Sequence, residues 1–235
     1  TSESIRLTIE SVKKMRPDRI ALYSYAHVPW VKPAQRSFTE DDLPADAEKR
    51  ALYELGKTLL CAQGYEEIGM DHFSLKTDDL YIALEKGLLH RNFMGYTTSQ
   101  SELCIGLGAS AISDTGSAYG QNIKAVEAYQ EAVAAGKLPV FKGHFLIEEE
   151  KIAKKHINNL MCKFQTPLEE PGYEEYIINA TNKLEEMIAD GLIVKQNGQL
   201  MVTKSGRPFV RNACMTFDIL LIKSSENQPV YSKVV

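Results

Sequence analysis

The sequence contains no apolar stretch approaching the roughly 20 residues that a helix needs to cross a bilayer. Its first residues, TSESIRLTIE, also lack the basic and then apolar pattern of a secretory signal peptide. We therefore expect a cytoplasmic protein. The first residue is Thr1 rather than methionine, which predicts that residues upstream of it have been removed.

The sequence also lacks a strong charge of either sign. Its 27 basic and 31 acidic residues give a net charge of -4, so bulk electrostatics do not favour binding to nucleic acid or to an anionic membrane. A hydrophobic content of 44% over 235 residues is ordinary for a globular protein and allows one large domain or two small ones.

Cysteines are few, and their spacing is not that of a metal site. Cys61, Cys104, Cys162 and Cys214 lie far apart, without a CxxC pair or a CxxxCxxC triplet. We interpret all four as buried thiols and predict no metal site in this chain. A zinc site shared by such distant cysteines is the less favoured alternative.

The first half of the chain alternates between predicted helices and strands. Apolar residues at helical spacing predict a helix over 2–15, and a strand follows at 19–26. The same sequence of elements recurs with a helix ending at Ala62 and a strand over 65–70. A shorter helix over 78–86 precedes a predicted strand at 103–105. The alternation favours an α/β fold with a parallel sheet.

The second half is predicted to be mostly helical. The periodicity indicates helices over 122–135, 148–164 and 173–190, and a last helix between Phe209 and Leu221. Before the last helix, LIVKQNGQLMVT predicts a hairpin turning at Asn197 and Gly198. Helix, hairpin and helix in this order form a winged-helix pattern. We therefore predict two domains, 1–118 and 119–235.

Gly106, Gly108 and Ala111 match the G-x-G-x-x-A pattern of dinucleotide-binding sites. That site needs a helix directly after the glycines, and ISDTGSAYG is a poor helix start, so nicotinamide binding is disfavoured. The glycines still allow a ligand to approach the backbone closely.

Three histidines, His27, His72 and His90, each follow an apolar segment. At one end of a parallel sheet they could converge for proton transfer, metal binding or carboxylate recognition. The alternative is a structural histidine held by hydrogen bonds, which is how we interpret His144 and His156. Asp71 could equally be an ion-pairing residue that fixes its loop.

The basic residues nearest these segment ends are Arg36, Lys86 and Arg91, and arginine binds carboxylates through a bidentate fork. They weakly indicate a carboxylate-rich substrate. The winged-helix pattern raises DNA binding as a rival function, since its last helix carries several basic residues, Lys204, Arg207 and Arg211. Core packing of that helix and the negative net charge disfavour this alternative.

Several motifs in this order resemble those of oxygen-independent coproporphyrinogen III oxidases, a family of radical SAM enzymes in haem biosynthesis. They are YAHVPWVKPAQR, GYEEIGMDHF, HRNFMGYTT, GLGASAIS, YGQNIK and VTKSGRPFVRNACMTFD. The resemblance implies the C-terminal part of a partial (β/α) barrel over 1–118 and a helical domain with a winged-helix-like hairpin over 119–235.

The resemblance also implies a reaction. Family members use a four-iron four-sulfur cluster to cleave S-adenosylmethionine (SAM), and the radical oxidises two propionates of coproporphyrinogen III to vinyl groups. This gives protoporphyrinogen IX and requires an electron donor and an acceptor. The cluster cysteines are missing from this chain, so we expect the chain to be inactive alone. We expect the full-length enzyme to be a monomer.

By resemblance, a second SAM would lie at Ala26 and Ile112, with Phe93 and Met94 lining its pocket and the backbone of Gly106 and Gly108 nearby. Family members often carry glutamine at the position of Met94, so a polar contact there is in doubt. As residues that hold propionates we add four candidates, His27, Arg36, His72 and Arg91. The alternatives are a non-catalytic haem- or tetrapyrrole-binding relative and a winged-helix nucleic-acid-binding module.

Overall fold

The computed structural model describes residues 1–224, with helices and strands in mixed order. Within these residues the helices are α1 (Ser2–Met15), α2 (Asp46–Ala62), α3 (Asp79–Glu85), α4 (Val126–Ala134), α5 (Glu148–Lys163), α6 (Glu174–Asn182), α7 (Glu185–Ala189), α8 (Val210–Met215) and α9 (Ile219–Ser224). The strands there are β1 (Arg19–Ala21), β2 (Tyr65–Gly69), β3 (His72–Leu75), β4 (His90–Asn92), β5 (Gly95–Thr97), β6 (Ile112–Asp114), β7 (Ala118–Asn122), β8 (Val140–Phe145), β9 (Gln165–Pro167), β10 (Ile193–Gln196) and β11 (Gln199–Val202). No helix in this part of the chain is long and apolar enough to cross a membrane.

Helices α1 and α2 pack together over the first sheet. Thr1 caps α1 by accepting a hydrogen bond from the Ser4 amide at 3.2 Å, and the helix ends at Arg16 in the left-handed region, directly before a proline. Ile9 of α1 is buried against Leu60 of α2 and the strand residue Phe73. The predicted bounds of α1 are confirmed, because the apolar spacing and the stop signal agree.

The first sheet has the order β1-β3-β2 and is antiparallel throughout. The prediction of a parallel sheet was therefore wrong for these strands. A two-residue turn at Met70 and Asp71, with Asp71 at φ 64°, returns the chain beside β2. The crossover that parallel pairing requires is thus absent between β2 and β3. The predicted strand over 19–26 ends already at Ala21, and His72 begins a strand rather than following one.

The middle of the chain forms the hairpin β4–β5 and the antiparallel sheet β6-β7-β8. The predicted strand at 103–105 is not formed. Only Cys104 makes an isolated bridge, to Asp114, while Leu103 and Ile105 stay 54% and 66% exposed. Their apolar character therefore reflects surface residues rather than a buried strand.

The C-terminal part contains α5, the sheet β10-β11-β9 and the short helices around it. The hairpin prediction is confirmed, with both Asn197 and Gly198 at positive φ. The helix predicted over 173–190 is divided into α6 and α7, and the last predicted helix into a 3-10 turn, α8 and α9. The winged-helix assignment of this unit stays a prediction.

The larger hydrophobic core draws residues from both predicted domains. Ile68 and Leu89 from the first half pack in one cluster with Leu160, Leu200 and Phe217 from the second. The predicted division between 118 and 119 falls inside β7, which pairs with strands on both sides. The two-domain organisation stays a prediction.

Candidate ligand-binding site

A cavity of about 770 Å³ opens between the loop after β1, helix α2 and the segment 207–211. A volume of this order suits a cofactor or small-molecule ligand. The loop contributes aromatic side chains, and α2 and the C-terminal segment contribute basic ones. The predicted site residues Ala26 and His27 line this cavity, as does Asp71.

Gln35 fixes the backbone on both sides of His27. Its side-chain oxygen accepts from the Val28 amide at 2.6 Å, and its Nε2 donates to the Ala26 carbonyl at 3.1 Å. The His27 ring packs on Phe38 at 5.2 Å, and its Nδ1 is buried without a hydrogen-bond partner in the described part of the chain. An orphaned ring nitrogen at a cavity wall is a position where a ligand could complete the hydrogen bonding.

Arg36, the next predicted substrate residue, is occupied by its own loop. Its Nε donates to the Pro29 carbonyl at 3.0 Å, and its side chain is exposed outside the set of cavity-lining residues. Arg36 therefore shapes the loop that carries Ala26 and His27.

Asp71 lines the cavity in a left-handed backbone conformation that non-glycine residues rarely adopt. Burial raises the pKa of its carboxyl group, while the charges of His72, Arg211 and Arg50 act to lower it. The Asp71 carbonyl accepts from the Leu22 amide at 2.7 Å, which ties the turn to the end of β1.

His72 and Arg91 meet at Tyr96 rather than at the cavity. The His72 ring contacts Tyr96 edge-on at 5.2 Å, and its Nδ1 is 2.7 Å from the Met70 carbonyl. The Arg91 guanidinium lies over the Tyr96 ring at 5.5 Å, with its Nε buried and unpartnered among the described residues. Burial raises the pKa of the Cys162 thiol to about 11, while the positive charge of Arg91 acts to lower it.

Phe93 and Met94 lie at the tip of the hairpin β4–β5. The Phe93 ring packs edge-on against Tyr119 of β7 at 5.2 Å, whereas Met94 is 92% exposed. Neither residue lines the large cavity. If both contact a ligand, that ligand must reach the surface beside β7.

The glycine loop is held by its own chain. Asn122 Nδ2 donates to the carbonyls of Gly106 at 3.0 Å and Gly108 at 2.9 Å. The Gly108 amide donates to the Tyr129 hydroxyl at 3.1 Å. A Cβ at Gly106 would lie 2.7 Å from the Ile112 carbonyl oxygen, so glycine here permits a close backbone approach. Strand β6 follows the loop, in agreement with the rejection of a dinucleotide site.

A second cavity of about 690 Å³ lies between His90 and the lysines of α5. Two of these lysines are neutralised, because Lys154 pairs with Asp114 at 2.6 Å and Lys155 with Glu170 at 2.7 Å. Burial and the Lys154 charge lower the pKa of His90, which favours the neutral ring. The three predicted histidines therefore lie in three different environments and do not converge.

The cysteines differ in exposure. Cys162 and Cys214 are buried as predicted, whereas Cys61 is exposed and Cys104 is half-buried, so the prediction of four buried thiols was wrong for Cys61 and Cys104. Burial raises the pKa of Cys214 to about 12, which keeps the thiol protonated. Within residues 1–224, no three His, Cys, Asp or Glu side chains are grouped to hold a metal ion.

Sequence reasoning did not place three cavity residues at the site, namely Arg50, Arg207 and Arg211. Arg50 is one helical residue among many in α2, and the other two were considered only for DNA binding. Their position at the cavity depends on tertiary contacts. The Arg50 guanidinium lies over the Phe209 ring at 5.7 Å and connects α2 to the C-terminal segment.

No protein-family model matches the sequence. In its fold the chain is similar to a radical SAM enzyme, the coproporphyrinogen III oxidase of Escherichia coli, with a TM-score of 0.86 and 34% identity. That match covers 94% of this chain and 52% of the other.

The sequence relatives agree with the structural match. The oxygen-independent coproporphyrinogen III oxidase of Synechocystis is 34% identical over 99% of this chain, and that of Pseudomonas aeruginosa is 36% identical over 100% of it. The chain spans about half the length of the curated relatives it matches, 52% in both cases. The resemblance is thereby confirmed: the chain is a homologue of oxygen-independent coproporphyrinogen III oxidases along that half.

Proposed function

We propose that this chain is the C-terminal portion of an oxygen-independent coproporphyrinogen III oxidase and lacks the half that binds the iron-sulfur cluster. The observation that supports the proposal is the identity of 34% to 36% along essentially the whole chain, combined with a match to only 52% of each relative. Similarity of this extent, together with a TM-score of 0.86, favours a shared activity in the complete protein.

The complete enzyme would convert two propionates of coproporphyrinogen III to vinyl groups and yield protoporphyrinogen IX. A four-iron four-sulfur cluster and SAM, when bound, would supply the radical that takes a hydrogen atom from each propionate. Loss of carbon dioxide and of one electron then leaves the vinyl group. An electron donor must reduce the cluster and an acceptor must take the last electron. We propose a cytoplasmic, monomeric enzyme that requires neither nucleic acid nor membrane.

The residues of this chain would bind and orient rather than generate the radical. The two buried thiols, Cys162 and Cys214, are protonated and do not fit a cluster site. For the second SAM, Ala26 offers a small side chain beside aromatic neighbours in the large cavity, while Phe93, Ile112 and the glycine loop lie around β6 and β7. We propose that Ala26 contacts the second SAM inside the cavity. Phe93, Ile112 and the glycine loop would contact the same SAM from outside the cavity.

Of the four propionate candidates, His27 has the strongest support, since its orphaned Nδ1 is at the cavity wall. The other three candidates, His72, Arg36 and Arg91, do not line the cavity. They would stabilise the segments that form the cavity or contact a ligand that extends beyond it. Arg91→Ala in the complete enzyme is expected to weaken substrate binding and turnover. Unchanged binding and turnover would remove Arg91 from the site.

The test of the main proposal compares this chain with a longer protein that carries the missing half. Under anaerobic conditions with reductant, the longer protein should form 5'-deoxyadenosine and vinyl product, whereas this chain alone should form neither. Formation of 5'-deoxyadenosine by this chain alone would contradict the proposal that the missing half generates the radical. Absence of vinyl product in the longer protein would contradict the function itself.

The second SAM has its own test. Ala26→Leu in the longer protein should reduce the number of SAM molecules bound from two to one, because the larger side chain occupies the contact surface. Ala128→Leu, on the exposed face of α4, is the matched control and should leave the stoichiometry unchanged. Equal stoichiometry in both variants would exclude Ala26 from the site.

A non-catalytic haem- or tetrapyrrole-binding relative is the second candidate, favoured by the aromatic side chains that line the cavity. Haem binding with no vinyl product from the longer protein would identify it. The nucleic-acid alternative loses support, since Arg207 and Arg211 line the cavity.

A further inference from the structure

Arg207 and Arg211 form the C-terminal wall of the large cavity. They lie four residues apart along the 3-10 turn Arg207–Phe209 and α8, which places them on one face. Neither guanidinium forms an ion pair with any acidic side chain in residues 1–224. Two cations without counter-ions at one cavity wall can receive an anion.

The position of Arg207 is fixed by the backbone around it. The Gly206 amide donates to Thr203 Oγ1 at 3.1 Å, and a Cβ at Gly206 would lie 1.9 Å from the Leu192 carbonyl oxygen. The guanidinium lies over the Phe164 ring at 4.3 Å, and its Nε is buried without an acceptor among the described residues. A buried N–H without an acceptor is costly unless a ligand supplies one.

The loop after β1 lines the cavity with large aromatic side chains. Tyr23, Tyr25 and Trp30 line it and remain 73%, 47% and 52% exposed. Large aromatic side chains that stay exposed together in a concave wall mark a surface for an apolar ring. The second orphaned nitrogen of the cavity, His27 Nδ1, lies in the same loop.

The other charged residues of the cavity form no ion pair with the two arginines within residues 1–224. Glu67 is paired with Lys57 at 2.6 Å, and Arg50 with Glu54. Asp71 is the acid whose carboxyl feels the charge of Arg211, and burial raises its pKa. The remaining charged residues that line the cavity are Glu40, Asp46 and Lys49. A ligand carboxylate can therefore accept hydrogen bonds from both guanidinium groups, neither of which has an ion-pair partner among the described residues.

We propose that Arg207 and Arg211 bind a carboxylate of a tetrapyrrole polycarboxylate whose ring lies against Tyr23, Tyr25 and Trp30. The inference rests on the proposed function and deepens it, because it assigns the substrate's carboxylate to residues outside the four earlier candidates. The planar forks of two arginines on one helical face suit a carboxylate better than ammonium groups do.

The test measures binding of coproporphyrin III and of its uncharged tetramethyl ester to this chain. Trp30 is the single tryptophan of the sequence and lines the cavity, so its fluorescence reports occupancy. Arg211→Gln should weaken coproporphyrin III binding at least about tenfold, and Arg211→Lys should restore only part of it. Lys204→Gln, at an exposed residue outside the cavity, is the matched control and should bind like the parent chain.

The ester separates carboxylate recognition from ring binding. We expect it to bind the parent chain at least about tenfold more weakly than the acid, and to bind Arg211→Gln and the parent chain equally. Arg207→Gln repeats the test at the residue packed on Phe164, with circular dichroism confirming the fold. Arg211 is exposed, so its variants keep the test decisive if Arg207→Gln fails to fold.

Two outcomes would overturn the inference: the acid and the ester bind the parent chain equally, or the acid binds Arg211→Gln and the parent chain equally. Neither outcome would contradict the proposed oxidase activity. Absence of binding by either probe would also overturn the inference. The oxidase is judged separately, by vinyl formation in the longer protein.

Discussion

The Tyr96 hydroxyl donates a hydrogen bond of 3.0 Å to the main-chain carbonyl of Met161, joining the hairpin β4–β5 to helix α5. Tyr96 is 8% exposed, and Gly69 makes room for it, since a Cβ there would lie 2.5 Å from the hydroxyl oxygen. Burial raises the pKa of the phenol, which keeps it a donor at neutral pH.

Tyr96→Phe should lower the free energy of unfolding by about 1 to 2 kcal/mol, because the Met161 carbonyl is left without its donor in the core. Urea denaturation followed by circular dichroism measures the loss. Tyr23→Phe is the matched control, at a residue that is 73% exposed, and should change stability by less than about 0.5 kcal/mol. Equal effects of the two substitutions would contradict a stabilising role for the bond.

Asn122→Ala should loosen the glycine loop, since one amide group holds the carbonyls of Gly106 and Gly108. Asn122 is 7% exposed, so the loss leaves two acceptors partly buried and should lower the free energy of unfolding by about 1 to 3 kcal/mol. Hydrogen exchange should speed up at the loop amides. The neighbouring Gln121→Ala removes one exposed hydrogen bond, to Ser110 at 3.2 Å, and should have little effect on either measurement.

Gly206→Ala should destabilise the C-terminal unit by more than about 3 kcal/mol, because the new Cβ would lie 1.9 Å from the Leu192 carbonyl oxygen and the backbone must move. Thermal unfolding measures the effect. Gly120→Ala in β7 is the control: nothing lies within 4 Å of its Cβ, and it should unfold within a few degrees of the parent chain. A tolerated Gly206→Ala would show that this close approach is not required.

Acidification should destabilise the protein through His156. This histidine is fully buried, with Nδ1 2.7 Å from Thr166 Oγ1 and Nε2 3.2 Å from Glu170. Burial lowers its pKa below 6.5, so below that pH the unfolded chain binds a proton that the folded chain does not. Stability should therefore be full above pH 6.5 and fall as the pH decreases, by at most about 1.4 kcal/mol per unit for this group.

The pKa of Glu170 is lowered chiefly by its hydrogen bond with Lys155, and it adds a further loss as the pH falls below its ordinary value of 4.5. Urea titrations at pH 7.5, 6.5 and 5.5 isolate the histidine. In His156→Gln the slope over this range should be smaller than in the parent chain. The same slope in both proteins would assign the pH dependence to other groups.

Local patterns predicted the helices well where spacing and stop signals coincide. α1 and α5 have the expected bounds, and Asn197–Gly198 forms the expected turn. These features depend on interactions within a few residues. The direction of the first sheet was not predictable in this way, because it depends on whether the two residues Met70 and Asp71 can turn the chain directly back.

The site was predicted only in part, for the same physical reason. His27 was singled out because a polar residue after an apolar segment is a local signal, whereas Ala26 came from the resemblance to the oxidase family; both line the cavity. The placement of Arg207 and Arg211 depends on contacts with Phe164 and with α2, far away in the sequence. Arg91 and His72 pack around the buried Tyr96 ring, an arrangement that sequence spacing does not reveal. Their part in ligand binding stays a prediction.

The core that joins Ile68 and Leu89 to Leu160 and Phe217 also sets an order of events during folding. Ile68 and Leu89 cannot complete their packing until α5 and α8 have left the ribosome. The smaller cluster around Ile9, Leu60 and Phe73 is complete much earlier in synthesis. Contacts between distant parts of a chain close slowly. The hairpin β4–β5, with its exposed Phe93 and Met94, is thus synthesised well before its partner helix α5.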